Sequence, residues 1–238
     1  MAGVCAVVGL GGGGIGEACA KRFARAGYKI AMMARTELRL KELAKSIPNS
    51  SPYVCDVSVS TQVHAVCSKV VADLGSIDVL IYNAGSGSFK PFDDTTEEDL
   101  AAAFSAGPGG LFSFAKAVTP AMVSAGSGVI IATGATASWR GMPSTSAFAP
   151  AKMAQRGLCQ SLARALGHKG IHVAHVVIDG IVDMPKTRAW CPDKPDAEFL
   201  DPNAIAETYF AIAKQPASCW TQEINVAPAA IAPTIASI

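Results

Sequence analysis

Apolar positions along the chain recur with two different periods, and the alternation between them predicts the elements. Residues 4–8 form a short apolar, β-branched run. After the glycine run that follows, Ile15, Ala18, Cys19, Phe23 and Ala26 recur at helical spacing until Gly27. The same strand-then-helix unit repeats. Strands are predicted at 28–34, 51–55, 78–82, 128–133, 172–178 and 223–226. Helices are predicted from Thr36 to before Pro48 and over 62–74, 95–103, 108–124, 146–166 and 204–213. Thr95-Thr96-Glu97-Glu98 reads as a capped helix start after a polar loop over 86–94. Strands alternating with helices through short connections call for a parallel sheet with helices on both faces. The expected fold is α/β: one Rossmann-like, doubly wound parallel sheet of about seven strands. With no internal repeat or linker visible, all 238 residues are expected to form a single domain.

Composition narrows the partners. Half of the residues are hydrophobic, 16% are charged and the formal net charge is +1, so no field exists to attract nucleic acid or a membrane surface. A small-molecule ligand or substrate is expected. No apolar run has the length of a membrane span, and the first strand follows the N-terminus without a charged region and cleavage site, which predicts a cytoplasmic protein. Seven cysteines, without a C-x-x-C pair and odd in number, read as small core residues rather than a disulfide framework. His172 and His175, three apart on a strand, point to opposite faces, and no metal site is expected.

The candidate chemistry begins in the glycine run, Gly9-Leu10-Gly11-Gly12-Gly13-Gly14-Ile15-Gly16. Glycines at a strand-to-helix junction let the backbone turn sharply, approach a ligand closely, and aim free amides and the positive helix end at a phosphate. This is the logic of a dinucleotide pocket.

Four motifs occur in order on the expected elements: the glycine run, Asn83-Ala84-Gly85 after the fourth strand, Lys152 in the helix after the fifth, and Ile178-Asp179-Gly180 after the sixth. Together they resemble the short-chain dehydrogenase/reductase family from Val4 to about Val226. The resemblance implies cofactor-binding roles for Gly9, Gly11, Gly14, Ile15, Gly16, Asn83, Ala84, Gly85, Lys152 and Gly180. Gly9-Leu10 stands where the family has Thr-Gly, a departure that allows a one-residue register difference. Asp56, with Val57 beside it, matches the acidic position that hydrogen-bonds the adenine amino group; alternatively it is a helix N-terminal carboxylate. The second strand ends Met33-Ala34-Arg35-Thr36, with no carboxylate to accept the ribose hydroxyls and an arginine suited to a 2′-phosphate, so NADP(H) is expected over NAD(H). A solvated surface arginine is the other reading of Arg35.

The resemblance also implies a catalytic set that this chain lacks. The family uses a tyrosine as acid/base, a lysine four residues on, a serine and a helix asparagine. Here Tyr-x-x-x-Lys is replaced by Phe148-x-x-x-Lys152, the serine position falls on Ala135 and the asparagine position on Gly107, which marks an atypical branch. Lys152 alone remains as a catalytic candidate. Thr136 and Ser138 are weak substitutes, whose hydroxyls otherwise serve local backbone groups. Trp139 and Phe148 are expected to form an apolar wall. The stretch from Ile181 to Leu200 has the place of a substrate-covering lid or is irregular surface packing, and Asp179, where the family has proline, reads as a strand-end turn residue or as a carboxylate near the nicotinamide that alters cofactor affinity or acts on substrate.

Two further expectations concern assembly and the chain end. The Ala-, Gly- and Ser-rich helices at 108–124 and 146–166 match those that the family pairs, implying a homodimer or homotetramer. The segment 227–238 is expected to be extended, either packed on a neighbour or loosely ordered. Two functions stay open: an NADP(H)-dependent oxidoreductase acting on an alcohol or carbonyl through a degenerate site, or a non-catalytic NADP(H)-binding pseudoenzyme serving as sensor, scaffold or partner subunit.

Overall fold

The computed structural model describes residues 3–85 and 87–231. The first half contains β1 (Val4–Val8), α1 (Ile15–Arg25), β2 (Lys29–Ala34), α2 (Glu37–Ser46), β3 (Ser50–Val54), α3 (Ser60–Leu74), β4 (Ile77–Tyr82), α4 (Glu97–Phe104) and α5 (Gly110–Ala125). The second contains β5 (Gly128–Thr133), α6 (Phe148–Leu166), β6 (Ile171–Ile178), β7 (Ile181–Val182), α7 (Pro185–Trp190), β8 (Phe199–Leu200), α8 (Pro202–Ala213) and β9 (Glu223–Val226). Seven strands form one parallel sheet in the order β3-β2-β1-β4-β5-β6-β9, while β7 and β8 pair separately. The doubly wound sheet is therefore as the periodicity predicts, with element ends moved by a residue or two.

Burial follows the pleat. On β1, Cys5 and Val7 join the core under α1, α2 and α8, whereas Val4, Ala6 and Val8 join the core under α3, α5 and α6. Five cysteines are buried, in line with a packing role; Cys191 is partly exposed and Cys219 exposed. His172 meets the Thr221 carbonyl and stacks on Trp220, and the His175 Nδ1–H donates to Glu223.

One expectation needs correcting. The chain does not break between two helices at Gly107-Pro108-Gly109-Gly110; a π-helical turn, Ser105–Gly109, joins α4 to α5 without interruption. Pro108 lacks an amide donor, and the widened turn absorbs that loss. The Tyr82 hydroxyl donates to the Ala106 carbonyl over 2.5 Å from the sheet side. The capped start of α4 is as predicted, with Thr96 accepting from the Asp99 amide. Of the expected terminal segment, 232–238 lies outside the described residues.

Candidate active site

The strand order reverses between β1 and β4, and ligands of open α/β sheets bind in the crevice at the carboxyl ends of the strands flanking such a point. The turn after β1 at this crevice is glycine-rich for steric reasons. Gly9 has φ +90°, and a Cβ there would lie 2.6 Å from the Ala84 nitrogen. A Cβ on Gly16 would lie 2.5 Å from the Gly9 carbonyl oxygen. Gly12 and Gly13 have φ of +69° and +81°, a region L side chains rarely adopt. Helix α1 opens from Gly14 without a side-chain cap, leaving its first-turn amides for another acceptor.

The floor is held by a chain of hydrogen bonds. Asn83 Nδ2 donates to the Gly9 carbonyl over 2.8 Å, Thr133 Oγ1 donates to Asn83 Oδ1 over 3.0 Å, and the buried Tyr209 hydroxyl donates to Thr133 Oγ1 over 2.8 Å. Asn83, read from sequence as a ligand contact, thus has its amide occupied in tying the loop after β4 to the glycine turn. Leu10 is buried in the core while Gly11 next to it faces open space, so the replacement of the family's glycine by leucine leaves the turn intact.

Two cavities meet here and share Asn83 and Gly85. The smaller, about 350 Å³, is lined by Gly9, Leu10, Gly11, Arg35, Thr36, Asp56, Val57 and Ala84 among others. Arg35 is exposed and makes no ion pair with a described residue. Asp56 Oδ1 accepts from the Ser58 hydroxyl over 2.7 Å and the Ser58 amide over 3.0 Å. These bonds, with a smaller contribution from Arg35, hold the Asp56 carboxyl below the usual carboxylate range.

The larger cavity, about 820 Å³, contains Ile15, Ala135, Phe148, Lys152, Gly180 and residues of the segment 181–191. The positions that the sequence marks as vacated converge here: Ala135 and Phe148 line it, and Gly107 lies against Ala151 and Gln155 beside a small recess bounded by Gly85, Phe148 and Lys152. Lys152 is buried, with Nζ donating to the Thr133 carbonyl over 2.7 Å and to Gln155 Oε1 over 3.4 Å. Burial without a carboxylate partner pushes its pKa down to about 8. Gln155 Nε2 also donates to the Thr133 carbonyl, over 3.0 Å.

The substitute hydroxyls are placed elsewhere. Ser138 Oγ accepts from the Ala135 amide over 3.1 Å, closing a local turn, and Thr136 Oγ1 donates to Asp179 over 2.7 Å; neither lines the larger cavity. Asp179 is a buried hydrogen-bond acceptor at the end of β6 rather than only a turn former. Trp139 does not line the cavity, and the apolar wall is Phe148 with Phe89 and Trp190. Phe89 escaped notice because it is one aromatic residue in an otherwise polar loop. Gln155 escaped because only the fold brings it under Thr133. Met184 and Pro185 lie over the glycine turn, 3.2 Å from a Cβ on Gly14 and 3.8 Å from one on Gly13, which puts the expected lid segment on the crevice.

The sequence profile of the short chain dehydrogenases matches residues 4–194. The chain belongs to the short-chain dehydrogenase family. Among curated relatives, a probable galactose dehydrogenase from Rhizobium meliloti is 32% identical over 196 residues, covering 80% of this chain and 77% of that protein. A short-chain dehydrogenase structure from Rhodopseudomonas palustris superposes with a TM-score of 0.82 at 31% identity, over 95% of this chain and 98% of the other. The Thermococcus sibiricus alcohol dehydrogenase complexed with 5-hydroxy-NADP superposes with a TM-score of 0.87 at 25% identity, over 98% and 99% of the two chains. Short-chain dehydrogenases bind a nicotinamide cofactor and act on small molecules. No described helix of this member is long and apolar enough to cross a membrane.

Proposed function

We propose that this short-chain dehydrogenase is an NADP(H)-dependent oxidoreductase of an atypical branch, acting on a carbonyl or alcohol with Lys152 in place of the missing tyrosine. The observation that carries the reading is the position of Lys152. Of the larger cavity's titratable groups, Lys152, Lys186 and Cys191, only Lys152 is buried, and it stands beside Ala135 and Phe148 where the other reacting groups of the family would be.

The residues present fit the cofactor. The glycine turn and the uncapped start of α1 offer amides to a pyrophosphate, Asp56 and Val57 bound the adenine end, and Arg35 with Thr36 faces the place of a 2′-phosphate. Gly85, Gly180 and Ile15 bound the nicotinamide end. The bound cofactor supplies or accepts a hydride. A phenyl ring at Phe148 moves no proton, so the proton that must reach the carbonyl oxygen with the hydride would come from the Lys152 ammonium, held between the Thr133 carbonyl and Gln155, and in the alcohol direction would return to that amine.

Titrating NADPH fluorescence tests the cofactor site, and lack of binding refutes the proposal. Arg35→Ala is expected to weaken NADPH about ten-fold or more and NADH by less than two-fold; equal losses remove Arg35 from the phosphate site. Reduction of a carbonyl panel by the wild type, abolished in Lys152→Met, supports turnover.

A second reading is favoured by Gly107, Ala135 and Phe148 together: a protein that binds NADP(H) without turnover. Activity seen only after Phe148→Tyr with Ala135→Ser selects it. Exposed Phe104, Phe112, Val123 and Met153 on α4, α5 and α6 support a homodimer or homotetramer through these helices, which light scattering on the purified protein checks.

A further inference from the structure

Three aromatic side chains from separate elements meet at the outer half of the larger cavity. Phe89 comes from the loop after β4, Phe148 opens α6 and Trp190 closes α7. The Phe89 and Phe148 rings lie 5.2 Å apart, and Phe89 and Trp190 6.4 Å apart. Phe89 is 55% exposed and Trp190 58%, so much of this apolar surface faces the cavity opening and solvent. Contiguous exposed rings of this kind mark a ligand surface rather than a packing one.

Most polar side chains nearby are already used; the exposed Lys186, whose Nζ lies 4.7 Å over the Trp190 ring, is the exception. Thr133 and Asn83 are joined to each other and to Tyr209 and Gly9. Thr187 is committed to Val182 and Met184. Hydroxyl-rich ligands such as sugars therefore find no matching set of donors and acceptors. What remains is an aromatic wall, the Lys186 ammonium over its Trp190 ring, and the Lys152 amine at the inner end.

From this geometry we propose that the outer half of the cavity takes a planar aromatic carbonyl compound, its rings against Phe89, Phe148 and Trp190 and its oxygen toward Lys152. Edge-to-face and offset ring contacts favour a flat π-system over a puckered alicycle of similar size. The inference rests on the proposed reading only in assigning the inner half to the nicotinamide.

The test uses 2-acetylnaphthalene and its saturated counterpart 2-acetyldecalin, titrated calorimetrically into the full-length protein with and without saturating NADP⁺. The naphthyl ketone is expected to bind at least ten-fold more tightly than the decalin. Phe89→Ala and Trp190→Ala should each weaken it about ten-fold while NADP⁺ affinity stays within two-fold, and Trp190→Phe should keep most of it. Equal or tighter binding of the decalin, or unchanged affinity in both alanine variants, overturns the inference. Failure of NADP⁺ to bind, with ring-dependent binding of the naphthyl ketone intact, refutes the cofactor reading and leaves this one standing. Binding of NADP⁺ without binding of the naphthyl ketone does the reverse.

Discussion

Lys152, proposed above to act on the ligand, is destabilising for the protein that carries it. Its pKa, pushed from 10.5 to about 8 by burial, corresponds to roughly 3 kcal/mol against the charged amine in the folded state. Between these two values the unfolded chain binds more protons than the folded one, so stability rises with pH across that window; below pH 8 the whole cost is present. Lys152→Met is therefore expected to raise the stability of the ligand-free protein by about 1–3 kcal/mol at pH 7, with the gain shrinking toward pH 10. Urea unfolding at both pH values measures this, and an equal gain at both would show that the charge is not its source. The position of Lys152 was legible in the sequence, because a four-residue spacing on a helix survives the change of its partner to Phe148. The partners of its Nζ were not, since the Thr133 carbonyl and Gln155 meet it only through packing of α6 on β5.

At the scale of elements, the sequence predicts separate helices at 95–103 and 108–124, and the chain instead continues between them because neighbours supply what the local residues lack. Tyr82 on β4 reaches across to the Ala106 carbonyl, which requires Gly110 beside it: a Cβ there would lie 2.1 Å from the Tyr82 hydroxyl and 2.9 Å from the Val57 carbonyl oxygen. Gly110→Ala is expected to cost about 2–4 kcal/mol, and Tyr82→Phe should cost less in that background than in the wild type by about 1 kcal/mol. A double-mutant cycle by chemical denaturation checks the coupling; additive losses would mean that the two residues do not share this space. Strands were read more accurately than helix junctions because β1, β4, β5 and β6 are buried on both faces and appear as continuous apolar runs. Phe89 and the two-stranded β7-β8 ribbon carry no such local pattern, and their places follow from tertiary contacts alone.

Across the whole molecule, the last strand is fastened by charge. Arg156 on α6 donates through Nε and Nη2 to the two Glu223 oxygens, each over 2.7 Å, and the His175 Nδ1–H donates to the same carboxylate over 2.9 Å. Burial opposes the charged form of Glu223, yet these bonds outweigh it and hold its carboxyl below the usual range. Burial keeps the His175 pKa below its ordinary value despite Glu223. Both shifts act in one direction. As pH falls below 6.5 the unfolded chain protonates its histidine before the folded protein does, and below about 4.5 the Glu223 contribution is lost in turn. Glu223→Gln is expected to cost about 1–3 kcal/mol at pH 7 and to flatten the acid limb of the stability curve. Thermal unfolding from pH 7 to 4 follows both, and a limb of unchanged slope would place acid sensitivity elsewhere.

The depressed amine of Lys152 also gives the protein a proton account that ligand binding must settle. Near pH 8 about half of the ligand-free molecules carry that amine unprotonated. An anionic dinucleotide favours the ammonium, so its arrival should draw up to about half a proton per chain from solution. Calorimetric titration of NADP⁺ in phosphate and in Tris, whose ionisation enthalpies differ widely, would read that uptake as a buffer-dependent heat. Lys152→Arg, which stays charged throughout, should bind with the same heat in both.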